Sequence, residues 1–470
     1  MRNPMRFFSG SESLRASGSA GLMVVTRVIG TFGTLAYTVM MARMLDPKEF
    51  GLVWTLWSAV FIASYLSTLN IGATAIREVT RARALGNEAA AAGFVILSRR
   101  VLVSMSGLVM MAFGALIWMR NPEIVAQHPV AVLLAAVMIP VMGWNATNAS
   151  QAVALDQVLR SQIPAMLLRP LVFVVALGAI WTAGITIGLE VVTGIYLTVV
   201  VVIAMVQYAL IRPFFGFMKD VTPDITGWQR WISTGLMLAP NRLLTDRLKD
   251  VLLLISAVPL GAVGVAQMAV ALSVTNFLSF TINAVETSFS PKIARALSQN
   301  DAPNGVPQNS PRTTHFLAIS GLIKLGMMAG GAVMLWLCMP LIMALFGQGY
   351  AQSADLMWWF YLVPLSVAVF GNTSLVMQMF DQRMAFFLTS LLALISLPVM
   401  GLFCVPYLVA AGHDPLVVTA ACFAVTLIAL QAVRWALCCA RTGIDVSALG
   451  SALRWHRQTQ QFSTQHGADA

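Results

Sequence analysis

Long apolar runs alternate with short polar ones along the whole chain, at about 20–45, 51–76, 101–119, 129–155, 164–184, 188–211, 231–258, 261–287, 316–345, 354–380, 384–410 and 415–440. A helix rises about 1.5 Å per residue and a bilayer's hydrocarbon core is about 30 Å thick, so each run predicts one spanning helix. The pattern therefore predicts an all-α polytopic membrane protein with 12 transmembrane helices. The outer connections read as turns of a few residues, and those after spans 2, 6 and 8 as longer segments. Residues 77–100 read as an amphipathic helix on the membrane surface, 298–315 as a flexible loop, and the stretch from Trp455 as a disordered polar tail.

Polar residues within the runs keep helical spacing. Span 1 carries Arg27, Thr31, Thr34 and Thr38 on one face, and span 8 carries Ser273, Asn276, Ser279, Asn283 and Glu286 on another. Span 4 holds Asn145, Thr147, Asn148, Ser150 and Gln151, and span 10 holds Asn372, Thr373, Ser374 and Gln378. Small polar side chains also pack helices together, so for spans 4 and 10 packing and a wet surface stand as equal readings. A full charge in each of spans 1 and 8 favours a wet surface there.

The densest charge falls in Asn241-Arg-Leu-Leu-Thr-Asp-Arg-Leu-Lys-Asp250, inside an otherwise apolar run. On an unbroken helix Arg242, Asp246 and Lys249 share a face, with Arg247 and Asp250 beside it. If the stretch were cytosolic and the helix began at Val251, residues 251–287 would be too long for one crossing and too short for two. Starting at Trp231 gives two ordinary spans with a turn near Pro259-Leu-Gly-Ala-Val-Gly264, and puts the charges at membrane depth. A charge at the middle of a spanning helix costs about 2.5–3.5 kcal/mol on insertion scales, so these groups need one another, water or a ligand. Lys324 in span 9 is long enough to snorkel to the inner surface, as is Arg27 in span 1. Glu190 falls at the outer edge of span 6.

Composition agrees: 470 residues, 58% hydrophobic, 10% charged, mean hydropathy +0.79. A soluble globule and a disordered chain are both excluded. The five cysteines lie in apolar runs, the five histidines lie in loops or the tail without metal-ligand spacing, and no Gly-x-x-x-x-Gly-Lys loop is present. No cofactor, metal or ATP hydrolysis is expected. The net charge of +10 is scattered one to three cations per loop, which suits membrane topology and not nucleic acid. With both termini in the cytoplasm, 21 of the 29 Lys and Arg residues fall on the inner side, three (Arg43, Lys48, Arg120) outside, and five (Arg27, Arg242, Arg247, Lys249, Lys324) within spans. Arg434 counts among the inner 21. The first nineteen residues carry Arg2, Arg6 and Arg15 and no apolar core, so no cleavable signal peptide is expected.

The halves echo each other. Ala42-Arg-Met-Leu-Asp-Pro-Lys-Glu-Phe-Gly51 matches Ile255-Ser-Ala-Val-Pro-Leu-Gly-Ala-Val-Gly264 in form, and Arg81-Ala-Arg-Ala-Leu85 matches Ile293-Ala-Arg-Ala-Leu297. Both members of each pair have the same orientation, which predicts a parallel repeat with a site between the halves. The expected divisions are an N-terminus 1–19, an N-lobe 20–211 (spans 1 to 6), a linker 212–230, a C-lobe 231–440 (spans 7 to 12) and a tail 441–470.

Four segments carry a family resemblance: Arg43-Met-Leu-Asp-Pro-Lys-Glu-Phe-Gly51, Leu69-Asn-Ile-Gly-Ala-Thr-Ala-Ile-Arg77, the charged span around Asp250, and Ser290-Pro-Lys-Ile-Ala294. Together they resemble the polysaccharide transporter (oligosaccharide flippase) family, of the superfamily that also includes multidrug and toxic compound extrusion transporters and lipid II flippases. The resemblance implies a V-shaped pair of six-helix lobes. It also implies passage of an undecaprenyl-diphosphate-linked oligosaccharide across the bacterial inner membrane, for exopolysaccharide, capsule or O-antigen synthesis. Implied partners are that lipid-linked oligosaccharide, membrane lipids, a polysaccharide polymerase and glycosyltransferases. Twelve spans argue against a lipid II flippase, and the charge in span 7 is heavier than the family's pattern.

Charges within the spans are mainly positive, which suits an anionic diphosphate carrying sugars. Candidate substrate contacts are Arg27, Arg242, Arg247, Lys249, Asn276, Asn283 and Lys324. Asp246, Asp250 and Glu286 are candidates for charge pairing or ion coupling. Two rivals are an ion-coupled drug exporter of the same fold and a membrane enzyme of envelope polysaccharide assembly. The exporter would want a lone carboxylate in the first five spans, and none lies clear of the loops. Short outer loops disfavour the enzyme.

Overall fold

The structure, a computed structural model, describes residues 10–219, 221–298, 311–380 and 382–467. Among them there is helix but no strand. The helices are α1 (Gly10–Met44), α2 (Pro47–Ser67), α3 (Gly72–Ala84), α4 (Glu88–Arg120), α5 (Pro122–Gln127), α6 (Pro129–Ala154), α7 (Val158–Ile163), α8 (Arg169–Thr182), α9 (Leu189–Ile211), α10 (Trp228–Asp246), α11 (Leu248–Ser298), α12 (Pro311–Phe346), α13 (Ser353–Val369), α14 (Thr373–Met379), α15 (Arg383–Val399), α16 (Val405–Ala410), α17 (Pro415–Thr442) and α18 (Ala448–Gly467). A π turn, Pro164–Leu168, joins α7 to α8, and a second, Met400–Cys404, joins α15 to α16.

Among the described residues ten helical runs are long and apolar enough to cross a membrane, or eleven when α13 and α14, bent by 46°, count as one. α11 is also interrupted. Its backbone breaks at Gly261 (φ 63°, ψ −172°), a conformation open only to glycine. The break divides α11 into a short helix before Gly261 and a longer one after it, compatible with the twelve spans expected. Ten or eleven apolar spans among the described residues make this a multi-pass membrane protein, and the break falls where the Pro259-Leu-Gly sequence predicts a turn.

The chain divides into two compact units, Met1–Leu243 and Leu244–Ala470. The first unit has an aromatic centre. Trp57 of α2 stacks on Tyr196 of α9 with ring centroids 4.1 Å apart, and Phe173 of α8 meets Tyr196 at 5.0 Å and Tyr37 of α1 at 5.2 Å. Four spans are tied by one set of rings, whose large buried area dominates local packing. A second cluster joins Ile71, Val79, Phe94, Phe215 and Trp231, from α3, α4, the 3-10 helix Arg212–Met218 and the start of α10. The linker is therefore docked on its own unit, and Glu78 of α3 accepts hydrogen bonds from Arg77, Arg230 and Trp231.

Residues 77–100 do not form one surface helix. α3 ends at Ala84, Gly86 turns the chain at φ 71°, Asn87 caps Ala90 at 3.0 Å, and α4 then runs unbroken from Glu88 through span 3. The apolar face Ala91, Ala92, Phe94 and Val95 is buried, which is why 88–100 joins the span instead of lying flat.

In the second unit, α18 lies along α12, so the tail corrects the expectation of disorder. Ala448 and Ser451 are buried, His315 meets Trp455 ring to ring at 5.0 Å, and Gly321 brings the two helices close, since a Cβ there would lie 2.7 Å from the Cα of Ala448. The expected flexible loop is in part helix, because α12 begins at Pro311; residues 299–310 lie outside the described ones.

Candidate functional site

The charged stretch of span 7 sits at a helix break. α10 stops at Asp246, Arg247 bends, and α11 begins at Leu248. The single face expected for Arg242, Asp246 and Lys249 needs an unbroken helix, and the bend ends it after Asp246. Arg242 and Asp246 are exposed. Beyond the bend, Arg247 Nη1 lies 3.5 Å from Asp250 Oδ2, and Asp250 is buried at 6% exposure. Lys249 Nζ donates to Ser273 Oγ at 2.8 Å, linking span 7 to the polar stripe of span 8.

Further along that stripe lies the most enclosed charge of the unit. Lys324 of α12 is 0% exposed, so it does not snorkel. Its Nζ donates to Glu286 Oε1 at 2.7 Å and to Asn372 Oδ1 at 2.9 Å. Asn372 Nδ2 donates to Ser320 Oγ at 2.6 Å, and Ser320 donates to Leu317 O at 3.1 Å. The chain has one consistent direction, from ammonium to amide to hydroxyl to carbonyl. Asn372 stands at the break between α13 and α14, where Gly371 takes φ 70°, so the bend in span 10 delivers the amide to Lys324. Glu286 keeps its side chain 39% exposed, so the ammonium is sealed behind a carboxylate that is itself reachable.

Other candidates are more dispersed. Arg27 and Asn276 are exposed, and the side chain of Asn283 lies outside those described. The hydroxyls of span 1 turn inward on their own helix: Thr31, Thr34 and Thr38 donate to the carbonyls of Arg27, Gly30 and Thr34 at 2.7 to 2.9 Å. Ser279 does the same to Thr275 O at 3.0 Å. They can still accept a hydrogen bond from a ligand, but their own proton is committed. In span 4, Asn145 and Asn148 are buried with side chains that meet no hydrogen-bond partner among the described residues, while Gln151 donates to Ser98 Oγ at 2.6 Å. Glu190, in the first turn of α9, lies 2.6 Å from His128 Nδ1.

One embedded cation escapes a reading from loop positions. Arg434, counted with the inner side, sits in α17 eight residues before its end at Thr442, roughly 12 Å up the helix. Its Nε and Nη2 donate to Thr389 Oγ1 and Ser390 Oγ of α15 at 3.1 and 2.7 Å, and the guanidinium lies 5.2 Å from the centre of the Phe386 ring. Among the described residues no carboxylate pairs with it. The signal was available: Phe386, Thr389 and Ser390 lie at helical spacing in α15.

Solved structures with this fold are transporters. An inward-facing multidrug resistance MATE family transporter of the MOP superfamily matches with TM-score 0.64 at 15% identity, over 89% of this chain and 98% of that one. An outward-facing one matches with TM-score 0.61 at 15% identity, over 93% and 95%. A MOP superfamily transporter from Pyrococcus furiosus, described as having a binding pocket of reversed polarity that suggests a different function, matches with TM-score 0.60 at 15% identity, over 89% and 94%. No protein-family model and no curated protein matches the sequence. The chain has the same fold as these proteins.

Proposed function

We propose that this protein is a flippase, moving an undecaprenyl-diphosphate-linked oligosaccharide from the inner to the outer leaflet of a bacterial cytoplasmic membrane by alternating access. The observation that carries the reading is Arg434, an embedded guanidinium held by two hydroxyls and a ring. It adds to a surplus of cations in the spans, and a cation so held keeps charge to offer to an anion such as a diphosphate. Arg27, Arg242, Arg247 and Lys249 are the further diphosphate contacts in this reading, and Asn276 and Asn283 the sugar contacts. Asp246, Asp250 and Glu286 hold cations between cycles or couple transport to an ion. Lys324, enclosed behind Glu286, acts on the substrate through that carboxylate.

A multidrug exporter has the same fold, and fold alone does not choose between the two. Surplus positive charge repels drug cations, which supports the anionic cargo. The test is a proteoliposome assay with a fluorescent undecaprenyl-diphosphate oligosaccharide, comparing the parent with Arg434→Met and Arg242→Ala. Slower translocation in both folded variants is the expected result. Parent-like rates, or ion-driven movement of a cationic drug with none of the lipid, overturn the reading.

A further inference from the structure

The 3-10 helix Arg212–Met218 carries three phenylalanines, and an arginine lies over each. Arg160 of α7 is 4.7 Å from the centre of Phe214, Arg99 of α4 is 4.7 Å from Phe215, and Arg83 of α3 is 5.5 Å from Phe217. Arg99 also lies 5.5 Å from Trp144, so its guanidinium has a ring on two sides. Three cations from three elements thus converge on seven residues of the first unit.

Packing alone leaves this arrangement incomplete. Arg99 Nε and Nη2 are buried with no hydrogen-bond partner, and among the described residues none of the three arginines pairs with a carboxylate. Glu78, the nearest buried carboxylate in sequence to Arg83, is already occupied by Arg77 and Arg230. Cation–π contact returns less than a guanidinium loses when stripped of water on two nitrogens. Charge of this kind is stable beside an anion. In a 3-10 helix residues i and i+3 eclipse with a rise of about 2 Å per residue, so Phe214 and Phe217 share a face about 6 Å apart along the axis. The rings under Arg160 and Arg83 therefore lie one turn apart, while Phe215, under Arg99, is buried.

We propose that the exposed Arg83 and Arg160, laid on Phe217 and Phe214, form a binding site for the phosphate of an anionic phospholipid headgroup at the membrane surface, with the half-buried Arg99 on Phe215 adding its charge. The rings sit where span 6 ends, the depth at which aromatic side chains anchor, and juxtamembrane cations are drawn to anionic lipid. The site is in the first unit and does not depend on the proposed cargo.

Thermal unfolding of the purified full chain in a zwitterionic detergent tests it. Short-chain phosphatidylglycerol, phosphatidylcholine of the same chain length, and inorganic phosphate are each titrated. The parent is expected to be stabilised by phosphatidylglycerol in preference to phosphatidylcholine and phosphate, with apparent affinity at least about tenfold weaker in Arg83→Gln/Arg160→Gln. That pair of changes leaves the half-buried Arg99 in place, and Arg99→Lys is the second variant, expected to weaken the same preference. Equal stabilisation by both lipids, equal stabilisation by inorganic phosphate, or an unchanged preference in the double variant overturns the proposal.

Discussion

Lys324 Nζ lies 2.7 Å from Glu286 Oε1, and the two ends of this pair differ sharply in environment: Lys324 is wholly enclosed, while the Glu286 side chain is 39% exposed. Breaking a buried pair leaves a charge without compensation, and the cost depends on which charge is left. Glu286→Gln strands the enclosed ammonium and is expected to destabilise the protein by about 3 kcal/mol. Lys324→Met leaves a carboxylate that water can reach and is expected to cost clearly less. Combining the two should recover much of the loss. Unfolding midpoints of the three variants check the order, and a Glu286→Gln milder than Lys324→Met would contradict it.

Gly261 separates spans 7 and 8 through its backbone alone. A Cβ added there meets nothing within 4 Å, so any cost of Gly261→Ala comes from φ 63°, ψ −172° and not from a clash. Strain of that kind is worth about 1–3 kcal/mol, and asparagine, which tolerates left-handed helical angles, gains nothing in this region. Both Gly261→Ala and Gly261→Asn are expected to lower the unfolding temperature. A neutral alanine would mean that the turn is made elsewhere.

The spans were legible because run length against bilayer thickness is a one-dimensional property, and the turn at Gly261 because Pro259-Leu-Gly is local chemistry. Contacts between distant helices were not. Lys324 and Glu286 are 38 residues apart, and a lysine near one end of a span looks the same whether it snorkels or turns inward. Arg99 looked interfacial for a related reason: sequence shows its charge but not the rings of Phe215 and Trp144 that let it sit in a continuous helix. The tail misled through its polar face, since the small side chains of Ala448 and Ser451 supply the narrow contact that α18 buries.

Glu78 joins the start of span 7 to α3. Its side chain is 8% exposed, whereas Arg77 and Arg230 are 49% and 59% exposed, so water screens the cations but not the carboxylate. Glu78→Gln retains a hydrogen-bond acceptor for Trp231 Nε1 and removes the charge. The expected loss is about 1–2 kcal/mol, below that of a fully buried pair because the arginines stay hydrated. Trp231 fluorescence checks it: the variant should unfold at lower denaturant concentration, and an unchanged midpoint would show that the apolar cluster around Phe94 holds α10 unaided.

Asp445 fastens the tail helix. Its Oδ1 accepts from Ser447 N at 3.0 Å and from Trp435 Nε1 at 3.1 Å, just ahead of α18. Burial pushes its carboxyl up, but the hydrogen bonds from Ser447 and Trp435 and the charge of Arg454 outweigh it and hold the group below the usual aspartate range. A carboxyl with a lowered folded pKa stabilises the native state above its unfolded pKa, and that contribution is lost as pH falls through the folded value. Docking of α18 should therefore be insensitive to pH from neutrality down to ordinary aspartate values and weaken only below them. Asp445→Asn removes the charge at every pH and is expected to cost about 1 kcal/mol. A cysteine introduced at the buried Ser451 reports the docking: in the Asp445→Asn background it should label faster at neutral pH than in the parent, and equal rates would place the anchoring of α18 elsewhere.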